Sequence, residues 1–567
     1  MDRSKPDEHS PRAQPARPER DSPFHPTRVY DGIQRFRERI RVIRDDHTGR
    51  LGVLPGDDQT ITDGPNPSTV AVLPPIYPEW LGDRSFLDVH GVRFPYITGA
   101  MANGIATPAL VVAMARAEML GFHGCAGLGL GHIRDALGKI KTEIGDTRLA
   151  WGANLIHTPN EPDLEKATVE LFLAEGVRRI STSAFMALSP NIVWYSCKGL
   201  RSLPDGAIAR THHIFAKISR PEVAESFMLP PPAAMLEQLV RDGRLTAGEA
   251  ELGRHVPVAE DITAESDSGG HTDNRPLAPL LATLLDLRDG ITHSQRYRNR
   301  IRIGAAGGIG TPTAVAAAFS MGAAYCLTGS INQSSVEAGV ADDAKQMLAQ
   351  AGIADVVMAP AADMFEQGIK LQVLRRGTMF ATRAAQLFQS YRDHASLEAI
   401  PAEQRAKLEQ HVFRMPIESV WEETRSFWER RDLGQVSKAL ADPKHRMALV
   451  YRWYLGNASR WAITGERERA VDYQLWCSPA MGAFNTWVRG SFLEHPENRQ
   501  VVQIAQNLLE GAACITRAQQ LRSFGVDVPP GAFLFKPRPL VTHASEVAEQ
   551  ERRVSTPSTL SAPRESE

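Results

Sequence analysis

The 567-residue chain has only five cysteines, an odd number spread widely at Cys125, Cys197, Cys326, Cys477 and Cys514. No Cys-x-x-Cys pair and no Cys/His couple occurs, which excludes a disulfide framework and a structural zinc site and points to a reducing cytoplasm. A surplus of either charge is also missing: 64 Lys plus Arg stand against 66 Asp plus Glu, a formal net charge of -2. That balance gives no electrostatic reason for a nucleic acid or an anionic membrane as partner, so any partner must be recognised by a local patch. Long apolar runs are absent as well. None reaches the about 20 residues of a membrane span, and the charged, proline-rich start MDRSKPDEHSPRAQPARPERDSPFHP has no apolar core for a secretion signal. A soluble cytoplasmic protein is therefore expected.

The length exceeds the usual single core and calls for a large domain with an appendage. Residues 1–25 and the C-terminal extension 523–567, from about 546, are rich in charge, Ser and Pro, and disorder is expected at both ends. Residues 26–94 form a lead-in. Between 95 and 384, eight short apolar runs alternate with stretches at helical spacing: FPYITGAM, MLGFHGC, LAWGANLI, VRRISTSA, HHIFAKIS, AEDITAES, IRIGAAGG and AAYCLTGS. This alternation predicts parallel strands with helical crossovers, and the count fits a closed TIM (β/α)8 barrel, with a doubly wound open sheet as the alternative. Residues 385–522 are helical in pattern and hold six of the nine tryptophans, Trp421, Trp428, Trp453, Trp461, Trp476 and Trp487. Aromatics concentrated in this way are expected to form a core or a seam.

Glycine is placed with purpose. In GAAGGIGTP, Gly307 and Gly308 let the chain turn after an apolar run, Thr311 suits a helix cap and Pro312 the first helical position. Gly329-Ser330 repeats the design 21 positions after Gly308. If the two turns follow the seventh and eighth strands, they are neighbours at the C-terminal face of the barrel and cradle a phosphate; tight helix–strand packing is the competing reason for glycine. The first run ends in Ala100, Met101 and Ala102, small enough in part for a flat ring to approach the backbone.

Polar candidates stand at other strand ends. SDSGGHTDN places His271 just past a glycine hinge, where an imidazole can donate a proton or offset negative charge, with Asp267 and Asp273 as its orienters or as turn formers. Asn154 offers an amide to a heteroaromatic edge and Lys217 an ammonium; hydrogen bonding within the rim and a solvated surface are the competing readings. His157 is expected to be structural.

Together, GAMANGIATP, NLIHTPNEPDLE, SDSGGHTDNRP, GAAGGIGTP, TGSINQSSVEAG, MAPAADMFEQGIK, DPKHRMALVYRWYLGNASRWA and DYQLWCSPAMGAFNTWVRGSFLE resemble the PfaD family. These are trans-acting enoyl reductases of polyunsaturated fatty acid and polyketide synthases, related to nitronate monooxygenases. The resemblance spans about Pro95 to Ile515. It implies an FMN-binding TIM barrel, with Ala100, Met101 and Ala102 against the isoalloxazine, Asn154 and Lys217 at its polar edge, and Gly307, Gly308, Gly329 and Ser330 on the phosphate. It implies His271 beside the flavin, NADPH as reductant and an enoyl thioester on an acyl carrier protein as substrate. Ser266 departs from the small apolar residue expected there. A nitronate monooxygenase-type flavin oxidase and an inactive synthase-associated protein remain the alternatives. The helical region can serve as lid, homodimer contact or docking surface, the last through Arg425, Arg430, Arg431, Lys444, Arg446, Arg452 and Arg460.

Overall fold

The computed structural model describes residues 22–56, 68–145, 147–158 and 161–541. Most of the terminal segments expected to be disordered, 1–21 and the tail from 546, lie outside these residues; residues 22–25 form the turn that leads into the first helix. The chain divides into two compact units, Met1–Tyr77 with Gly511–Phe535 and Pro78–Glu510 with Lys536–Glu567. No helix among the described residues is long and apolar enough to cross a membrane.

The smaller unit joins a helix, Pro26–Gln34, to a three-stranded antiparallel sheet of Ile40–Arg44, Leu51–Pro55 and Ser68–Leu73, with the first of these in the middle. His25 caps the helix by accepting from the Thr27 N–H, and Pro26 takes the first helical position, where its missing N–H is no loss. Val29, Ile33, Phe36, Val42 and Val53 fill its core. Arg517 is buried there and donates to the Phe36 carbonyl at 3.2 Å.

The larger unit contains a closed barrel of eight parallel strands: β1 (Tyr96–Thr98), β2 (Leu120–His123), β3 (Gly152–Ile156), β4 (Arg179–Ser183), β5 (His213–Ile218), β6 (Asp261–Glu265), β7 (Arg302–Ala306) and β8 (Cys326–Thr328). These are the eight apolar runs, in order. Each strand pairs with its sequence neighbours, and the ring closes between β8 and β1, where Thr328 faces Thr98. The helices start sharply: Thr107, Ser189 and Thr311 each cap a helix whose first residue is proline. Inside the barrel, Phe122, Phe215 and Tyr325 pack with Phe86. Beneath them lies a buried polar plug in which Arg302 donates to both oxygens of Asp261, at 2.6 and 2.8 Å, and His90 Nε2 lies 3.1 Å from Asp261 Oδ2.

A second sheet lies outside the barrel. Its strands are Gly270–His271, Lys370–Leu374 and Val356–Pro360, antiparallel with the second in the middle. Leu371 and Val373 of its central strand enter the core of the helical region, together with Phe365, Phe380, Leu387, Val420, Tyr451 and Tyr454. Trp421, Trp453, Trp461 and Trp476 pack against that core, as expected for four of the six clustered tryptophans. The sheet thus runs from the helical core to His271.

Candidate active site

The turn after β7 is built on glycine for two different reasons. Gly307 and Gly308 have φ of 81° and 66°, in the left-handed region that glycine occupies without strain. A Cβ on Gly307 would lie 2.6 Å from Ser266 Oγ and 2.8 Å from the Asp267 carbonyl oxygen, whereas one on Gly308 would meet nothing within 4 Å. The Gly308 N–H donates to the Asp267 carbonyl at 2.9 Å, and Ser266 Oγ donates to the Ala306 carbonyl at 2.9 Å. The hydroxyl of Ser266 therefore gives that departure a purpose: it ties the end of β6 to the end of β7. Thr311 accepts from the Ala314 N–H at 3.3 Å and caps the helix that follows.

After β8, Gly329 has φ −127° and ψ −71°, and no atom lies within 4 Å of the Cβ it lacks. Neither a left-handed backbone nor crowding requires glycine here; what a side chain would enter is open space at the rim. Ser330 begins a short 3-10 turn, and its Oγ lies 2.9 Å from where a Cβ on Gly269 would be. The loops after β6, β7 and β8 thus meet around one opening.

A chain of charges crosses the same rim. Lys217, next to last in β5, pairs with Glu265 at the end of β6, Nζ to Oε1 2.7 Å. The chain then turns through Asp267–Gly270, held by Gln372, whose Nε2 donates to Asp267 Oδ1 at 2.6 Å and to the Ser268 carbonyl at 2.8 Å. His271 Nε2 lies 3.2 Å from Asp363 Oδ1. Burial alone would lower the pKa of this imidazole. The hydrogen bond and charge of Asp363 and the charge of Glu265 outweigh burial and the opposing Lys217, so the pKa rises above its ordinary value. Burial pushes the Asp363 carboxyl up, but the bond and charge of His271 bring it below its ordinary value. Each partner thus favours the charged form of the other, and the 38 % exposure of the His271 side chain lets water temper both effects.

Asp363 and Glu265 were not singled out in the sequence. Glu265 carries one usable signal, a charged residue at the C-terminal end of a barrel strand. Asp363 has none, since it follows a strand outside the barrel. Of the two expected orienters, Asp267 accepts from Gln372, and Asp273 accepts from Ser219 at 2.6 Å and Arg220 at 2.9 Å; neither reaches His271.

On the other side of the rim, Ala100, Met101 and Ala102 follow β1 and are locked against the β2 loop. The Met101 carbonyl accepts from the Ala106 N–H, and a Cβ on Gly124 would lie only 1.6 Å from the Met101 carbonyl oxygen. Asn154, expected at a strand end, lies in the middle of β3 and donates both amide hydrogens within the barrel to β4, to the Ser181 carbonyl at 2.9 Å and Ser183 Oγ at 3.1 Å, with its Oδ1 as the remaining acceptor. His157 belongs to a structural network: its Nδ1 lies 2.7 Å from Glu165, which also accepts from Ser189 and Asn191, and its ring stacks on Phe185.

Three buried polar atoms on these strands have no hydrogen-bond partner among the described residues: Thr98 Oγ1 on β1, His123 Nε2 on β2 and Ser181 Oγ on β4. His123 donates its Nδ1 hydrogen to the Ala106 carbonyl at 2.8 Å, so Nε2 presents a lone pair, and burial lowers its pKa and keeps it neutral. Native proteins leave few such atoms unsatisfied, and together with the open space at Gly308 and Gly329 they suit a polar ligand at this mouth. The five cysteines are buried and free; burial pushes the Cys125 thiol up to about 12, which removes it as a nucleophile.

With this geometry in place, comparison with known proteins is informative. Residues 394–473 match the inserted helical domain of [acyl-carrier-protein] S-malonyltransferase. The enoyl reductase domain of MlnA, from the macrolactin biosynthesis cluster of Bacillus amyloliquefaciens, superposes with a TM-score of 0.75 at 36 % identity, covering 78 % of this chain and 99 % of that one. A polyunsaturated fatty acid synthase polypeptide of Thraustochytrium sp. is 42 % identical over 467 residues, 81 % of this chain and 31 % of that polypeptide. Polyketide biosynthesis protein PksE of Bacillus subtilis is 42 % identical over 437 residues, 77 % of this chain and 56 % of PksE. The chain thus spans about a third to just over half the length of these two curated relatives.

Proposed function

The chain belongs to the PfaD family of enoyl reductases of polyunsaturated fatty acid and polyketide synthases, and we propose that it acts in trans to reduce 2-enoyl thioesters on an acyl carrier protein, using FMN and NADPH. One observation carries this reading: the barrel mouth joins an open glycine cradle, at Gly308 and Gly329, to an imidazole whose charged form Asp363 favours.

The residues present fit the cofactor. Gly307, Gly308, Gly329 and Ser330 would hold its phosphate, and Ala100, Met101 and Ala102 would line the ring. The Oδ1 of Asn154 and the ammonium of Lys217 would serve the polar edge. The chemistry FMN supplies when bound is delivery of a hydride, originating from NADPH, to the β-carbon of the unsaturated thioester. The chain's own contribution is electrostatic and protic. His271 would supply a proton to the α-carbon and positive charge to stabilise the enolate, and the Asp363 carboxylate favours that protonated form.

The test is anaerobic. The FMN-loaded chain is reduced with NADPH and mixed with the crotonyl thioester of an acyl carrier protein while the flavin absorbance is followed. Reoxidation by the thioester is expected. A flavin that stays reduced until air enters would overturn the reading in favour of a flavin oxidase. His271→Ala is expected to retain FMN and lose thioester reduction by about 10²-fold or more; undiminished turnover would remove His271 from the mechanism.

A further inference from the structure

Two consecutive helices, Ile417–Arg431 and Leu433–Ala441, turn an apolar row to solvent. Phe427, Leu433 and Leu440 are 46, 66 and 69 % exposed. Leu433 and Leu440 are seven positions apart and share one face of the second helix, at the edge of the buried strip formed by Val436 and Ala439. Arg430, three positions from Phe427, and Lys438, farther round the second helix, are exposed, and among the described residues their side chains form no hydrogen bond or ion pair. Between them Arg431 is fastened to Glu161, with two bonds of 3.1 Å. Glu161 lies in the loop after β3, so Arg431 ties the helix that carries Phe427 to the rim of the barrel.

Most other cations of the helical region are already engaged. Arg425 pairs with Glu422 and Glu429, Arg446 with Glu398 and Arg452 with Glu366, while Lys444 donates to the carbonyls of Tyr391 and His394. The surface for a partner is therefore narrower than the distribution of basic residues in the sequence suggests.

We infer that the row Phe427–Leu433–Leu440, with Arg430 and Lys438, is the docking surface for the acyl carrier protein, taking an apolar side chain and the carboxylates of an acidic carrier helix. The inference rests on the thioester reading above. A nine-residue helix is about 13 Å long, and three exposed side chains fall far short of the roughly 800 Å² per partner of a stable dimer. Such a patch suits a partner that must leave after each turnover. The unpaired cations set its charge preference, and its attachment to the β3 rim places a docked carrier within reach of the barrel mouth. Both helices also lie inside the segment that matches a helical insert of a carrier-protein enzyme.

Two variants of the full chain test this, Leu433→Ser/Leu440→Ser and Arg430→Glu/Lys438→Glu, all at exposed positions. Affinity for a fluorescently labelled crotonyl acyl carrier protein is measured by anisotropy. kcat/KM is measured with that carrier and with the crotonyl thioester of N-acetylcysteamine. Each variant is expected to lose about tenfold in carrier affinity and carrier kcat/KM, with the small thioester unaffected. Unchanged carrier affinity, or equal loss on both substrates, would overturn the assignment. So would self-association of the unmodified chain that the variants abolish without change in carrier affinity, since the occupant would then be a second copy. If the unmodified chain binds the carrier but reduces neither thioester, the reductase reading fails and the docking surface stands.

Discussion

Replacing Gly329 with alanine separates a cofactor cradle from a packing glycine. The backbone there has φ −127°, outside the left-handed region, and nothing lies within 4 Å of the new Cβ. The fold is expected to change by less than about 1 kcal/mol, partly because alanine also restricts the unfolded chain. Gly307→Ala is the contrasting control: its φ of 81° carries about 1–2 kcal/mol of strain. Its Cβ would also lie 2.6 Å from Ser266 Oγ and 2.7 Å from the Ser266 carbonyl carbon, and relieving such overpacking adds about 1–3 kcal/mol. The order reverses for the cofactor. In the proposed cradle a methyl group at Gly329 would intrude on the phosphate, and losing one charged hydrogen bond of about 1.5–3 kcal/mol is expected to weaken FMN binding roughly 10- to 100-fold. The assay pairs thermal melting of the cofactor-free chain with an FMN titration followed by flavin fluorescence. An alanine at Gly329 that binds FMN as tightly as the unmodified chain would refute the cradle. A melting temperature lowered as far as that of Gly307→Ala would show that the glycine serves the fold.

The remaining predictions concern charge. In the proposed mechanism His271 acts protonated, and its pKa is raised, so activity is expected to persist past the ordinary imidazole range and fall as pH climbs through the raised value. Asp363→Asn removes the bond and charge that raise it and should move this alkaline limb to lower pH; Lys217→Met removes an opposing charge and should move it to higher pH. Profiles of kcat/KM that stay fixed in both variants would dissociate His271 from the titration, and a loss of FMN affinity with a fixed limb in Lys217→Met would return that lysine to the cofactor. At the bottom of the barrel, burial disfavours the Asp261 carboxylate, but Arg302 and His90 overcome this and hold its pKa well below the usual carboxylate range. A depressed pKa gives stability that is present above the unfolded value of about 3.9 and lost as pH falls through the folded one, so acid unfolding should set in below about pH 4. Arg302→Met strands the buried carboxylate and should cost about 3–5 kcal/mol in urea unfolding at neutral pH; a variant as stable as its parent would show that the plug contributes nothing.

The barrel was legible because every signal it needs is local. Each strand is a short apolar run, several end at small residues, and Thr107-Pro108, Ser189-Pro190 and Thr311-Pro312 mark helix starts within a few positions. The second sheet was not legible, for a matching reason. Val356–Pro360 and Lys370–Leu374 are five residues each, and the partner strand is the pair Gly270–His271, about a hundred positions earlier. A two-residue strand has no period, and a pairing across that separation leaves no trace in local spacing.

The same division runs through the site. The demand for glycine at Gly307 and Gly308 is set by the backbone's own dihedral angles, so a turn motif announces it. What a charged side chain does depends instead on whether the fold gives it a partner, and the partners come from afar. Asp363 is 92 positions from His271, and Glu161 is 270 from Arg431. Lys217 suited the edge of a cofactor when considered alone, and beside Glu265 it becomes half of an ion pair that also biases His271. The helical cations suited an acidic carrier as a group, until ion pairs within the chain engaged most of them and left Arg430 and Lys438 exposed on the two helices that carry the apolar residues. Residue type and spacing thus locate the face on which chemistry occurs. Assigning roles on that face requires knowing which charges are already neutralised, and that is a property of the tertiary fold.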